Sequence, residues 1–433
     1  MYNINFPPSL QWEVTPLCNH NCIHCYNYWR DDQHIIDNVD DSFYMKIATK
    51  IVELKPIKVT LTGGEPLLIF NKIKECIDLF LLNGISVSIN TNATLITDEI
   101  ALYLKENHIS LYISFPCSIP NVCDEITQVT NSFEKLVKGI DKLIFHQVKI
   151  SFNMVVSQFN FPYIFDTASF IYERFGVKNF HATRVGKPVN AKENFDQYLL
   201  TKYQVNSLRD ELIKIKKILH MIVGSSLPYP ICSFDNEETF NTLAFDKKCT
   251  AGKTSYAICT NGDVKACPRE SETYGNLIKD NFVDIWSEMV KWRDGSLIPV
   301  ECKNCNSFNI CLSGCRIDAF MNGNSLSTTD PYIDINNSPI KFQKNKSENE
   351  DLKILPNEKF TLKNSVNFLK EEFGYRMSQP RKYQYISSEF YNFLEKHKEF
   401  DMDLLCDYFK IDIPLAQKII IRLQNSDFLE SLL

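Results

Sequence analysis

The stretch Leu10-Gln-Trp-Glu-Val-Thr-Pro-Leu-Cys-Asn-His-Asn-Cys-Ile-His-Cys-Tyr26 decides the reading of this chain. Its first six residues are β-rich, and the loop that follows carries three thiols, Cys18, Cys22 and Cys25. Three thiolates on one short loop hold three corners of a cubane iron–sulfur cluster and leave the fourth iron without a protein ligand. A zinc site is the plain alternative, but zinc takes four ligands, and His20 or His24 would complete the set only by straining a tight loop. Both histidines are therefore expected to be solvated loop residues.

Outward from this loop the chain alternates strand and helix. Strands are predicted at Leu10–Thr15, Lys58–Thr62, Ser86–Thr91, Ser110–Phe115, Lys149–Val156 and Asn179–Val185, with helices near 41–54, 70–83, 97–106, 131–145 and 161–174. Six β-then-α steps imply a parallel sheet with right-handed crossovers, open or closed into a barrel. Either way the site belongs at the C-terminal ends of the strands. The motifs fall there: the cysteine loop after the first strand, Gly63-Gly64-Glu65-Pro66 after the second, and Asn90-Thr-Asn-Ala-Thr-Leu95 after the third.

The C-x3-C-x2-C spacing closed by Tyr26, joined to Gly63-Gly64-Glu65-Pro66, resembles the radical S-adenosylmethionine (SAM) enzymes. The resemblance implies an α/β fold, a partial (β/α)6 barrel open on one side. It implies a 4Fe–4S cluster on Cys18, Cys22 and Cys25, with SAM chelating the open iron through its amino and carboxylate groups. The two glycines would let backbone approach the ligand closely. A backbone carbonyl and the Glu65 carboxylate would accept hydrogen bonds from the SAM ammonium. Asn92, Ser114, Asn153 and Arg184 stand where the family binds ribose or carboxylate. The fourth strand continues Ser114-Phe-Pro-Cys117, where the family often has Asp-Gly. Given an electron from an external low-potential donor, such a cluster cleaves SAM to a 5′-deoxyadenosyl radical that takes a hydrogen atom from substrate.

Composition narrows the setting. At 433 residues and 44% hydrophobic content the chain fits a globular protein of two or three domains. No apolar run is long enough to span a membrane, and Met1-Tyr-Asn-Ile-Asn-Phe-Pro-Pro8 lacks the basic start and apolar core of a signal peptide. A cytoplasmic protein without a membrane partner is expected. The formal charge of −6 argues against nucleic acid. In a reducing compartment the fifteen cysteines read as metal ligands or reactive thiols before disulfides.

Seven of those cysteines lie between Cys249 and Cys315. The pattern Cys249-x12-Gly262-x4-Cys267, then Cys302-x2-Cys305-x5-Cys311-x3-Cys315, resembles the SPASM extension of peptide-modifying radical SAM enzymes. That resemblance implies two auxiliary iron–sulfur clusters, one on Cys249, Cys267 and Cys315 and one on Cys302, Cys305 and Cys311. A zinc ribbon is the structural alternative. The pattern's last cysteine, downstream of Cys315, is missing. Asp330 or Asp334 would substitute, or the second cluster keeps an open iron. Cys259 is a candidate to complete the first.

The chain divides at the sequence level into a barrel (1–188), a helical connector (189–245), the cysteine-rich module (246–322), a polar linker (323–351) and a C-terminal unit (352–433). In the last, strand candidates Asn367–Glu372, Tyr375–Ser378 and Tyr383–Ile386 precede helices near 388–396, 401–410 and 414–425. This layout resembles the winged-helix-like, PqqD-like peptide-recognition domain, in which a leader peptide adds as a strand to an exposed edge. Twelve basic and twelve acidic side chains balance there, which disfavours a DNA-reading wing. Together these resemblances imply a radical SAM maturase of a ribosomally made precursor peptide, an oxidoreductase that installs a C–C or thioether cross-link. Epimerisation, with Cys117, Cys123 or Cys232 as hydrogen donor, is a related outcome. A sulfatase-maturase-like activity is disfavoured by Pro268, where that family tends to place an acid. An iron–sulfur redox sensor is the reading from another class, and the Gly63–Pro66 site opposes it.

Overall fold

The alternation read from the sequence is realised as a parallel sheet in chain order. In the computed structural model, which describes residues 6–27, 41–189, 191, 193–243, 247–334, 358–371, 374–379 and 382–432, strands β1 (Ser9–Thr15), β2 (Lys58–Gly63), β3 (Ser86–Thr91), β4 (Ser110–Ser114), β5 (Ile150–Val156) and β6 (Asn179–Arg184) each pair in parallel with the next. Helices Asp41–Glu53, Phe70–Leu82, Asp98–Glu106, Ser132–Phe145 and Ile164–Phe175 occupy the expected crossovers. The α/β class and the parallel sheet with helical crossovers are thus as read from the sequence.

The sheet is wider than six strands. The stretch expected as a helical connector also supplies β7 (Ile222–Gly224), parallel to β6. The cysteine-rich stretch supplies β8 (Ser255–Ile258), parallel to β1, and β9 (Val264–Lys265), antiparallel to β8. The full order is β7-β6-β5-β4-β3-β2-β1-β8-β9. The second cysteine region is therefore built directly onto the strand that leads into the first.

Burial along the strands explains why the sheet encloses a site. In β5, Ile150, Phe152, Met154 and Val156 are buried, whereas Ser151, Asn153 and Val155 are half-buried and line a cavity. A parallel sheet covered on both faces reads as a continuous apolar run. Here period-2 alternation puts small polar residues on the inner face, among them Thr60, Ser88 and Asn90. The outer face joins a core of Trp12, Phe80 and the helices, where the Tyr44 hydroxyl donates to Val14 O at 3.0 Å.

One helix within the barrel escaped the sequence reading. Pro120–Thr127 starts with a proline, whose fixed φ suits a first helical turn. Its Asn, Cys and Thr residues are weak helix formers, which hid it.

The C-terminal unit comprises β10 (Lys359–Leu362), β11 (Asn367–Glu371), β12 (Gly374–Gln379), β13 (Lys382–Ser387), β14 (Glu399–Phe400) and β15 (Leu429–Leu432), with helices Ser388–Lys396, Met402–Phe409 and Ile413–Asn425. Two antiparallel sheets form, β11-β12-β13 and β14-β10-β15. The second was not expected from the sequence, because strands of two to four residues carry little periodic signal. A separate core built on Phe360, Phe393, Leu405, Ile420 and Phe428 holds the unit together. Buried Arg376 of β12 fastens it to the barrel, donating to Phe6 O at 2.8 Å and to Lys55 O. Of the segment read as a linker, residues 335–351 lie outside the described residues, as do 352–357 and Glu372. Its first part is no free spacer: Asp330 and Tyr332 are buried.

Candidate active site

The cysteine loop is held by its neighbours rather than by its own sequence. Asn21 N–H donates to Thr127 O at 2.9 Å and Ile23 N–H to Ile126 O at 3.0 Å, so the unexpected helix Pro120–Thr127 offers its last carbonyls to the loop. Asn19 bridges to the loop after β3, accepting from Asn92 Nδ2 and donating to Thr94 Oγ1, both at 2.8 Å. His20 N–H donates to Cys18 Sγ at 3.4 Å.

The Gly63-Gly64 pair acts on this loop first. Gly64 N–H donates to Thr15 O at 2.6 Å and Glu65 N–H to Leu17 O at 2.8 Å. A Cβ on Gly64 would stand 1.8 Å from Leu17 O, and one on Gly63, whose φ is +125°, would stand 2.4 Å from Thr15 O. No L side chain fits either position. The glycines are thus required for the close approach of two protein loops.

Glu65 is a buried clamp. Its carboxylate accepts from Thr91 Oγ1 (2.6 Å), Leu67 N (3.1 Å) and Asn92 N (2.7 Å), tying the loop after β2 to the loop after β3. A carboxylate offers about four acceptor positions, so three donors leave room for roughly one more hydrogen bond. Burial pushes its pKa up to about 7, against the pull of these three bonds. Pro66 opens the short turn Pro66–Ile69 beneath it.

One cavity of about 580 Å³ gathers most of the expected site residues. Cys18, Cys22, Cys25, Tyr26, Gly63, Gly64, Glu65, Asn92, Ser114, Asn153 and Arg184 all line it. Cys249, Cys267 and Cys315 line the same cavity, which places the two cysteine regions on one space. Pro66, Cys259, Cys302, Cys305 and Cys311 are not in its wall. Cys259 faces Glu13 instead, and burial raises its thiol to about 12. That carboxylate pairs with buried Lys265 at 3.2 Å, and burial lifts it to about 7 against the Lys265 charge.

The histidines differ from expectation. His20 is buried, and both His20 and His24 line the cavity rather than solvent. Burial lowers the His24 pKa to about 4, and its Nδ1 is buried with no hydrogen-bond partner. Nor does Asn27 Oδ1 have one, while Asn27 Nδ2 donates to Gly63 O at 2.5 Å. Buried polar atoms are normally paired. Two orphans beside three thiols in one cavity fit a site made for a polar group, and the donor set suits a thiolate-held cluster with SAM.

Arg184 sits at the cavity wall with its guanidinium engaged. It contacts Asp318, Asp330 at 3.3 Å and Pro228 O at 3.3 Å, and lies 4.6 Å from the Tyr332 ring centroid. Arg269 meets the other Asp318 oxygen at 2.6 Å and donates to Cys315 Sγ at 3.5 Å. Burial opposes ionisation of Asp318, but Arg269 and Arg184 win and hold its pKa at about 2. Asn153 accepts from Tyr112 and Thr183 hydroxyls at 3.1 and 2.7 Å. Asn19, Asn27, Arg269 and Asp318 were missed at the sequence level. Asn27 alone offered a signal, lying two residues past Cys25; the rest share no local motif.

With this geometry in place, similarity to known proteins becomes decisive. Residues 12–171 match the model of the radical SAM superfamily. They are a radical SAM domain. Proteins of that superfamily use a 4Fe–4S cluster and SAM. The chain is 26% identical over 340 residues to the mycofactocin maturase MftC of Mycolicibacterium smegmatis, covering 76% of this chain and 83% of the relative. It is 24% identical over 351 residues to the AdoMet-dependent heme synthase of Oleidesulfovibrio alaskensis, covering 74% and 86%. Among solved structures, Streptococcus suis SuiB bound to its precursor peptide SuiA superposes with a TM-score of 0.59 at 16% identity, covering 75% of each chain. Native anSMEcpe with bound AdoMet and a peptide gives 0.58 at 18% identity, covering 75% of this chain and 94% of that chain. These structural likenesses establish the shared fold. No helix among the described residues is long and apolar enough to cross a membrane.

Proposed function

We propose that this enzyme is a maturase of a ribosomally synthesised precursor peptide, organised as the five segments read from the sequence. The observation that carries the reading is the single cavity lined by both Cys18–Cys22–Cys25 and Cys249–Cys267–Cys315. A substrate segment held there lies between two thiol sets, which suits removal of a hydrogen atom on one side and of an electron on the other. Relatives and structural neighbours named for peptide maturation support the choice.

Cys18, Cys22 and Cys25 would hold the SAM-cleaving cluster, and bound SAM supplies the hydrogen-abstracting radical. The protein's own work is positioning and shielding. Glu65, Asn92 and Asn19 lock three loops around the cavity, and the inner polar face of β2–β5 gives a substrate hydrogen-bond partners. The Arg184–Asp318–Arg269 network fixes the Cys315 wall. Leader recognition falls to the C-terminal unit, where β11 and β13 each have one strand neighbour among the described residues, so an extended peptide can pair with a free edge.

The test is anaerobic turnover of reconstituted enzyme with SAM, a strong reductant and a short peptide encoded beside the gene, read by mass spectrometry. Formation of 5′-deoxyadenosine with loss of two hydrogens from the peptide is expected. Cleavage of SAM stimulated by a tetrapyrrole and not by peptide would overturn the reading. Absence of cleavage despite full iron and sulfide would favour a redox sensor.

A further inference from the structure

We propose that Cys232, from the segment preceding the cysteine-rich module, supplies the fourth thiolate to Cys302, Cys305 and Cys311, so that these four hold one fully ligated iron–sulfur cluster. The proposal rests on reading the last three as cluster ligands and adds the residue that completes them.

The turn Ile231–Ser233 sits against the loop that carries Cys311. Ile231 N–H donates to Cys311 Sγ at 3.3 Å, and a Cβ on Gly314 would stand 2.9 Å from Pro230 Cγ. The thiol of Cys232 lies within electrostatic reach of Cys302, Cys305 and Cys311.

The surrounding backbone is shaped for sulfur that carries charge. The N–H groups of Ile231, Ser313 and Gly314 all point at Cys311 Sγ, and the Asp334 N–H at Cys232 Sγ. Aiming the first set requires Leu312, Ser313 and Gly314 to adopt φ of 53°, 60° and 74° in succession. Two of these are non-glycine residues in a left-handed conformation that costs free energy. Hydrogen bonds to cluster sulfurs tune the potential, which gives such a conformation a use.

The other candidates for the fourth position are occupied or turned away. Asp330 accepts from Cys315 N at 2.8 Å, from Tyr332 N at 2.9 Å and from Arg184 at 3.3 Å. Asp334 presents an exposed side chain and offers its backbone to Cys232. Among the described residues no three His, Cys, Asp or Glu side chains gather closely enough to hold a single metal ion. A cluster takes a wider frame of thiolates, because its irons stand apart at separate corners. Four ligands leave no open iron, so this cluster relays electrons and does not bind substrate.

The test uses the full chain with Cys18, Cys22 and Cys25 all replaced by Ala, so that auxiliary clusters alone remain. Iron, acid-labile sulfide and the electron paramagnetic resonance of the reduced protein are compared with and without Cys232→Ala and Cys302→Ala. Both variants are expected to lose the same iron, sulfide and signal, whereas Cys406→Ala loses none. Cys232→Ser is expected to retain the cluster with a shifted potential, which a packing role would not produce, and it decides the matter if the alanine variant fails to fold. Full iron in Cys232→Ala beside loss in Cys302→Ala overturns the assignment of Cys232 while the cluster stands. Unchanged iron in both, or zinc without sulfide, removes the cluster reading itself and the proposal with it.

Discussion

The two cysteine regions reach the same cavity by opposite routes. Cys18, Cys22 and Cys25 share one short loop, and the surrounding strand ends only clamp it. Cys249, Cys267 and Cys315 come from segments separated by a strand pair and by helices, and reach the cavity through the pairing of β8 with β1 and the Arg184–Asp318–Arg269 network. A site on one loop survives small shifts of the fold, whereas an assembled one depends on the sheet register that brings its parts together. The comparison teaches where each function should be vulnerable.

The largest expected effect is on the loop itself: Cys18→Ala, Cys22→Ala or Cys25→Ala should bring 5′-deoxyadenosine formation down to background. Cys267→Ala or Cys315→Ala should leave SAM cleavage in place and lose peptide product, measured in the same assay. Equal loss of cleavage in both sets would break the comparison. Next comes Gly64→Ala, which forces Cβ into Leu17 O and should cost ~2 kcal/mol or more in chemical denaturation, together with cleavage. A smaller effect tests the Glu65 clamp. Its pKa is raised to about 7 in the folded chain, so the folded state holds a proton that the unfolded chain releases near pH 4.5. Stability from this group is complete below pH 4.5 and falls by about 1.4 kcal/mol per pH unit as pH rises toward 7. Glu65→Gln should remove that slope, seen as a flatter denaturation midpoint between pH 5 and 7. The smallest effect is Arg376→Ala, which removes two hydrogen bonds between the C-terminal unit and the barrel, about 1–2 kcal/mol. It should raise KM for the precursor and leave peptide-independent SAM cleavage unchanged; an equal drop in both would make the docking contact part of the catalytic fold.

Much of the barrel was legible because parallel strands and their crossover helices each carry a local period. Strands β1 to β6 fell within a residue or two of expectation; Cys18, Cys22 and Cys25 were marked by their spacing, and Gly63–Pro66 by its resemblance to a family motif and its place after the second strand. The helix Pro120–Thr127 was not, since its composition is neutral and its task is to offer carbonyls to residues a hundred positions earlier. The clamp role of Glu65 and the cavity-facing histidines were equally hidden, because burial is decided by what folds over a residue.

The sequence by itself determined the class of sheet, the position of the site at its strand ends and the three thiols of the first loop. Local periodicity and fixed short spacings survive without knowledge of the rest of the chain. Only the tertiary structure decided that Cys249, Cys267 and Cys315 reach the same cavity, that Asp330 is bound to Arg184, and that Cys232 stands with Cys302, Cys305 and Cys311. Those are contacts between residues far apart in the chain, and no pattern along it encodes the pairing of strands that makes them neighbours.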